Sequence, residues 1–378
     1  MYLRNWRCDS QSLLTILLVI YSISSFIIPI IGISIGVVYA IYLLLFILYV
    51  KVVRRFCVGR IEKKLIFLFV LLIAIDKLND FFYACELKQL LSLIVSISIV
   101  LFFVFQMHRA REVWRLVRFS SLFCVIVFFI ISFLYKIPLD ALDRDASSLL
   151  YIFFVSCYSL SFWKKILLFF PIALIENFLF EARSVVVALI IYLLVDALLS
   201  FSNKKWLKKM LLITEIIFSM FVIKIAIDVE STIKTPSIMF TGRGLIWEQA
   251  VSHVFCGGST YNLFLGFATT NESLEQKFGK ELIAREKSKD EYMTKILLGG
   301  HFHNGIIYSL YNTGAFGLFL LFLCFSQSFK RLDYNRKNIA AFTGFYIIYV
   351  LNGRSIYGIY VLSIIMLLII LLPMEEYE

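Results

Sequence analysis

Charge is scarce in this sequence. Of 378 residues only 17% are Asp, Glu, Lys or Arg, whereas 61% are hydrophobic and Phe alone supplies 38. A soluble core cannot use that much apolar side chain, so an ordinary water-soluble domain is excluded. Histidine is scarcer still, with four residues, and the seven cysteines are scattered without CxxC or other metal-ligand spacing. That spacing argues against a zinc site, and no metal or cofactor is expected. There is no internal repeat and no low-complexity tract. A cleavable signal is not expected, because the first apolar run, from Leu13, leads straight into further apolar runs. The net charge of +11 would suit nucleic acid, but the basic residues fall in short clusters between apolar runs. That is the pattern of membrane loops, so the expected partner is the lipid bilayer and not nucleic acid.

What is present is a succession of long apolar runs. They predict an all-α polytopic membrane protein with about twelve spans, in a range of about 10–12. The runs lie roughly at 13–29, 33–50, 64–78, 90–107, 119–135, 149–163, 166–180, 184–201, 211–228, 305–325, 339–351 and 355–372. Three of them, 64–78, 166–180 and 339–351, are shorter than the roughly 20 residues a perpendicular helix needs and read as half-helices or as wrongly bounded. With the N-terminus inside, the inner segments near 4–7, 51–64, 109–118, 164–165, 204–209 and 330–337 hold most of the 37 Lys and Arg. This alternation places both termini on the cytoplasmic side. It divides the chain into nine spans over 1–228, a large outer loop over 229–304, and three spans with a short tail over 305–378. Within the loop, NESLEQKFGKELIAREKSKDEYMTKILL reads as an amphipathic helix, with Leu274, Phe278, Leu282 and Ile283 as its apolar stripe. Cys85 and Cys256 are the two cysteines expected outside, and a bridge between them stays open.

The outer boundary then gathers unusual residues. Arg183 opens a span at a tight turn, Arg243 lies in FTGRGLIWEQA of the large loop, and Arg354 lies in LNGRSIYG between the last two spans. His301 and His303 close the large loop in GGHFHNG. Arginines on the outer face run against the positive-inside tendency and need a reason. One reason is snorkelling to lipid phosphates; another is an anion site, since guanidinium forks match phosphate oxygens and several could hold a diphosphate without a metal. The histidines admit a metal site, a structural role, or a base that orients or deprotonates a hydroxyl. A metal is disfavoured because His253 is the sole other outer histidine and no acidic cluster accompanies it. Asn304 reads as the cap of the following helix, and Trp247 with Phe240 as either a sugar-stacking pair or an interfacial anchor. The Asp143–Arg144–Asp145 run is short and common, and Glu181 is placed to orient Arg183.

TGRGLIWEQA, a gap of about fifty residues, and HFHNGIIYSLYNTGAFGLFLLF together resemble the signature of the O-antigen polymerase and O-antigen ligase superfamily. EARSVVVALIIYLL and NGRSIYGIYVLSII resemble two further outer arginine segments of that family, with Ala182 where a Ser is often found. The resemblance covers about the last two hundred residues. It implies a glycosyltransferase of the bacterial inner membrane that takes glycan from undecaprenyl diphosphate on the periplasmic side, without metal or nucleotide sugar. It implies Arg183, Arg243 and Arg354 on the diphosphate, His303 with Arg243 as the catalytic residues, and His301, Asn304 and Trp247 near acceptor or sugar. A groove near Gly314 and Gly317 would take the lipid tail. Polymerase is preferred, with an inner-membrane chain-length regulator as partner. Ligation to lipid A–core is the alternative, and a flippase or transporter, using Glu215 and Lys224 inside one span, is a further one.

Overall fold

The computed structural model describes residues 10–24, 33–53, 59–84, 87–135, 143–178, 183–202, 204–232, 247, 250–257, 259–267, 304–352 and 361–374. All regular structure among these residues is helical. In chain order the helices are α1 (Ser10–Ser24), α2 (Ile35–Val52), α3 (Arg60–Ala84), α4 (Leu87–Phe105), α5 (Ala110–Tyr135), α6 (Asp143–Ser156) and α7 (Phe162–Phe178). They continue with α8 (Arg183–Phe201), α9 (Lys205–Thr232), the short α10 (Thr260–Leu265), α11 (Gly305–Arg331), α12 (Arg336–Asn352) and α13 (Val361–Leu371). Among the described residues, four stretches are long and apolar enough to cross a membrane: Ile35–Val52, Met107–Leu134, Arg183–Phe201 and Gly305–Arg331. The protein is therefore an all-α chain with the helices of a membrane protein. Large apolar side chains such as Leu44, Phe123, Phe133, Leu194 and Phe319 lie exposed on these helices, as they would against lipid tails.

Several helices outrun the apolar stretches that predict them. The run at 64–78 is part of a 25-residue helix, Arg60–Ala84. The half-helix reading of that segment is thereby replaced by one long helix whose polar ends shorten its apolar signature. The other two short runs remain short, as Phe162–Phe178 and Arg336–Asn352. Helix α13 is buried at every one of its 11 positions. The described part of α13 is buried all round, as a core helix is, and α12 holds its end. Asn338 Nδ2 donates to Leu372 O at 2.7 Å, and Asn338 Oδ1 accepts from Met374 N at 3.0 Å, so α12 takes up backbone groups that the end of α13 leaves open.

Helix α12 packs most extensively on α8, and a small residue lets them close. A Cβ on Gly344 would stand 2.6 Å from Ala188 O. In lipid, where burial of apolar surface gives little drive, such close backbone approach is what holds helices together. The pair is antiparallel: Lys337 Nζ reaches Asp196 Oδ1 at 2.7 Å near one end, and Gly344 meets Ala188 further along. Continued at that register, Arg183 at the start of α8 lies at the same end as Asn352 at the finish of α12.

Helix α11 is broken. Gly314 has φ +65 and ψ −171 inside an otherwise helical run. The segment after α10 fills the break: Phe267 N donates to Tyr311 O at 2.7 Å. Asn79 Nδ2, from α3, donates to Leu265 O at 2.7 Å and to Asn312 O at 3.3 Å. Carbonyls freed by the break are thus satisfied by a loop and by a side chain from another helix, as a helix broken at membrane depth requires. Two glycines make this possible. A Cβ on Gly314 would lie 2.4 Å from Phe264 backbone, and one on Gly266 (φ +81) would lie 2.2 Å from Asn312 backbone.

Candidate functional site at the head of α11

Asn304 begins α11 because a short polar side chain at the N-cap can replace the missing helical acceptor. Its Oδ1 accepts from Ile306 N at 2.9 Å and from Ile307 N at 3.1 Å, while its own carbonyl accepts from Tyr308 N at 2.9 Å. The side chain is wholly buried, and its Nδ2 has no hydrogen-bond partner. Gly305 follows because α12 leans on the helix start. A Cβ there would fall 2.1 Å from the Tyr349 ring, and Tyr349 Oη donates to Gly305 O at 2.7 Å. Ser309 Oγ sits 2.8 Å from the same Oη. The tail of α12 is thereby fastened to the head of α11, and by the α8–α12 register the head of α8 stands at the same end. Arg183, the first residue of α8, is exposed there.

A second polar group backs this point from α3. Asn312 Nδ2 donates to Asp76 Oδ1 at 2.9 Å. Asp76 Oδ2 is 2.8 Å from Lys77 Nζ, and Asp80 Oδ2 is 3.8 Å from the same nitrogen. All three charged side chains are buried or nearly so, so each needs the others to offset desolvation. Sequence reading missed this group, although the run DKLND at 76–80 signalled it. Four polar residues in five, at the end of an apolar run, are too many for lipid and imply a protein partner.

The residues singled out from the sequence fare differently. Asn304 is a helix cap, and Arg183 heads α8 at the same end. Trp247 is buried at 1% exposure. His253 packs against Phe267 with the rings tilted by 44° and their centroids 4.6 Å apart, and stacks more distantly on Tyr311 at 6.0 Å. Arg243, His301, His303, Arg354, Phe240, Glu181, Cys85 and the expected amphipathic helix lie outside the described residues. Gly314 and Gly317 are both buried, the first at the helix break and the second with a Cβ position 2.1 Å from Thr313. Among the described residues no three His, Cys, Asp or Glu side chains group as metal ligands.

Glu215 and Lys224 do not pair. Glu215 is buried against α12, where Tyr346 Oη donates to its backbone oxygen at 3.1 Å, whereas Lys224 is exposed. Nine residues along a helix is a half-turn out of phase, so the two side chains leave on opposite faces. The Glu215 carboxyl oxygens have no hydrogen-bond partner, since the nearby Thr343 hydroxyl donates to Ile339 O at 3.0 Å.

What the site offers is therefore a capped helix start with a buried, unpartnered amide donor, an exposed guanidinium on the neighbouring helix head, and a buried charged group behind. No protein-family model, no curated protein and no solved structure matches this chain.

Proposed function

We propose that the protein is a membrane glycosyltransferase of the O-antigen polymerase type. It would transfer glycan from an undecaprenyl diphosphate donor to a hydroxyl of a second lipid-linked repeat unit, at the periplasmic face of the bacterial inner membrane. The observation that carries the reading is the meeting of three helix ends. The head of α8 with Arg183, the tail of α12 and the head of α11 lie at one end of the bundle. In the sequence, Arg354 follows the last residue of α12 by two positions, and His303 immediately precedes the cap Asn304.

The chemistry asks for such a grouping. The acceptor oxygen attacks the anomeric carbon, the new C–O bond forms, and the bond from that carbon to the diphosphate oxygen breaks. Negative charge grows on the leaving diphosphate, which Arg183, Arg243 and Arg354 would stabilise. The acceptor hydroxyl loses its proton to a base within reach, the role assigned to His303. His301 would stand beside the acceptor, and a chain-length regulator in the same membrane would be the protein partner.

Deleting the gene and separating the lipopolysaccharide by gel electrophoresis tests the reading. The expected result is core carrying a single repeat unit, with the ladder restored by the wild-type chain but not by Arg183→Ala or His303→Ala. Bare core, with long glycan left on the lipid carrier, would instead mean ligation. A full ladder from the Arg183→Ala chain would remove that residue from the site.

A further inference from the structure

The head of α11 has four backbone N–H groups, and all but one are accounted for. Ile306 and Ile307 donate to Asn304 Oδ1, and Tyr308 donates to Asn304 O. Gly305 N–H is the donor the cap does not reach. Asn304 Nδ2 is the second spare donor at the same place: fully buried and without partner. Because Oδ1 faces the helix, the other branch of the planar amide faces away from its first turn. A buried donor left unsatisfied costs about as much as a hydrogen bond is worth or more. Its retention at a helix start, where the backbone dipole favours negative charge, calls for an acceptor-only, anionic ligand atom. The cap could have been made by Asp or Ser, which satisfy Ile306 and Ile307 equally well but present no outward N–H.

We infer that the head of α11 is a phosphoryl-oxygen subsite, with Asn304 Nδ2 and Gly305 N–H as its donors. This rests on the proposed donor chemistry for the identity of the ligand, a lipid-linked diphosphate. The geometry asks only for a phosphoryl oxygen. Tyr349 keeps the subsite in place by gripping Gly305 O. The Asp76 carboxylate behind it is engaged by Lys77 and Asn312, which limits its repulsion of an anion. The subsite differs from the arginines in kind: it supplies directed, uncharged donors that fix one oxygen, where guanidinium groups supply charge.

The test is binding, measured on the full chain in nanodiscs with undecaprenyl diphosphate, undecaprenol and inorganic pyrophosphate as separate probes. Asn304→Asp keeps the capping oxygen and removes the donor; Asn304→Ser keeps a capping oxygen without adding charge and replaces the Nδ2 branch by a hydroxyl one bond closer to the backbone, and serves if the Asp variant fails to fold. Both are expected to weaken undecaprenyl diphosphate binding about ten- to hundredfold, with undecaprenol binding and thermal stability unchanged. Competition by pyrophosphate at equal affinity would identify a soluble phosphoryl ligand at the same subsite. Undiminished undecaprenyl diphosphate binding by the Ser variant would overturn the inference and leave the glycosyl-transfer reading standing. Equal loss of undecaprenol binding would also overturn it, because the defect would then be in the fold. If the donors prove necessary while the deletion strain keeps a full ladder, the subsite stands and the proposed reaction falls.

Discussion

The two ends of the helix bundle use the same residue types in different ways. At the end where α7, α8 and α12 meet, Lys165 and Lys337 share the carboxylate of Asp196, at 2.6 and 2.7 Å, with Tyr192 Oη accepting from Lys165 at 3.3 Å. Nearby in the fold, Arg331 pairs with Glu62 at 3.3 Å and reaches Leu371 O at 3.4 Å. Asn338 closes the finish of α13. Polar groups there are turned onto one another and hold helices together. At the opposite end the amide of Asn304 keeps a donor unused, Arg183 is exposed, and α11 is broken at Gly314 so that a loop can enter. Groups that only stabilise are satisfied within the protein; groups that bind are satisfied by something that arrives. Under the proposed function, the spare amide donor of Asn304 and the exposed Arg183 belong to the working end, and the closed Asp196 ion pairs to a structural one.

The largest effect that would sharpen this contrast lies at the structural end. Asp196→Ala leaves two lysines buried with no carboxylate, and should lower stability by about 3–5 kcal/mol. Adding Lys165→Met should recover part of that loss, as measured by thermal or denaturant unfolding of the purified chain. Were the single variant as stable as wild type, the closed-pair description of this end would be wrong.

The next largest lies at the broken helix. Gly314→Ala meets both a left-handed backbone, costing about 1–2 kcal/mol, and the backbone of Phe264, which cannot move as a side chain would; overpacking there adds about 1–3 kcal/mol. Gly266→Ala should behave alike, because its Cβ would strike Asn312. Hydrogen exchange over 259–267 is the informative readout: the loop should lose protection before the α8–α12 pair does. Equal loss in both places would mean that the break is a general weak point and not the seat of the loop.

The smallest effect belongs to the exposed pair between α9 and the α11–α12 turn. Lys205 Nζ lies 2.5 Å from Asp333 Oδ1, and this hydrogen bond with its attraction holds the Asp333 carboxyl below its usual range. A carboxyl lowered in the folded state adds stability above its unfolded pKa, near about 3.9, and loses it as pH falls through the lower folded value. Both side chains are open to solvent, so screening leaves little. Asp333→Asn should match wild type in melting temperature at pH 7 in physiological salt. A drop of several degrees would show that open surface pairs support this end as much as the buried triad.

How much of this was legible in the sequence can be followed residue by residue. The helices were legible, because apolar runs and backbone i to i−4 bonding are both local. Asn304 was legible as a cap, since the Asn–Gly step before an apolar run has a local meaning. Arg183 was legible as the opening of a span. The polar run at 76–80 was visible but misread: it cut short an apolar stretch, and only a partner helix explains why it can be buried. Trp247 looked equally fit for a sugar or for an anchor, and the fold adds that its side chain is buried.

The amino-acid order alone thus determined the membrane class, the helical content and the residues that start helices, because those depend on neighbours within a few positions. The tertiary structure alone decided which helix ends meet, that α11 breaks at Gly314, and that Asn304 is left with a spare donor. The physical reason is distance along the chain. The break needs Gly266 and Phe267, some fifty residues earlier, to fill it. The register of α8 on α12 needs Gly344 opposite Ala188. The cap is left with a spare donor because, among the described residues, none of the helices packed around it supplies an acceptor.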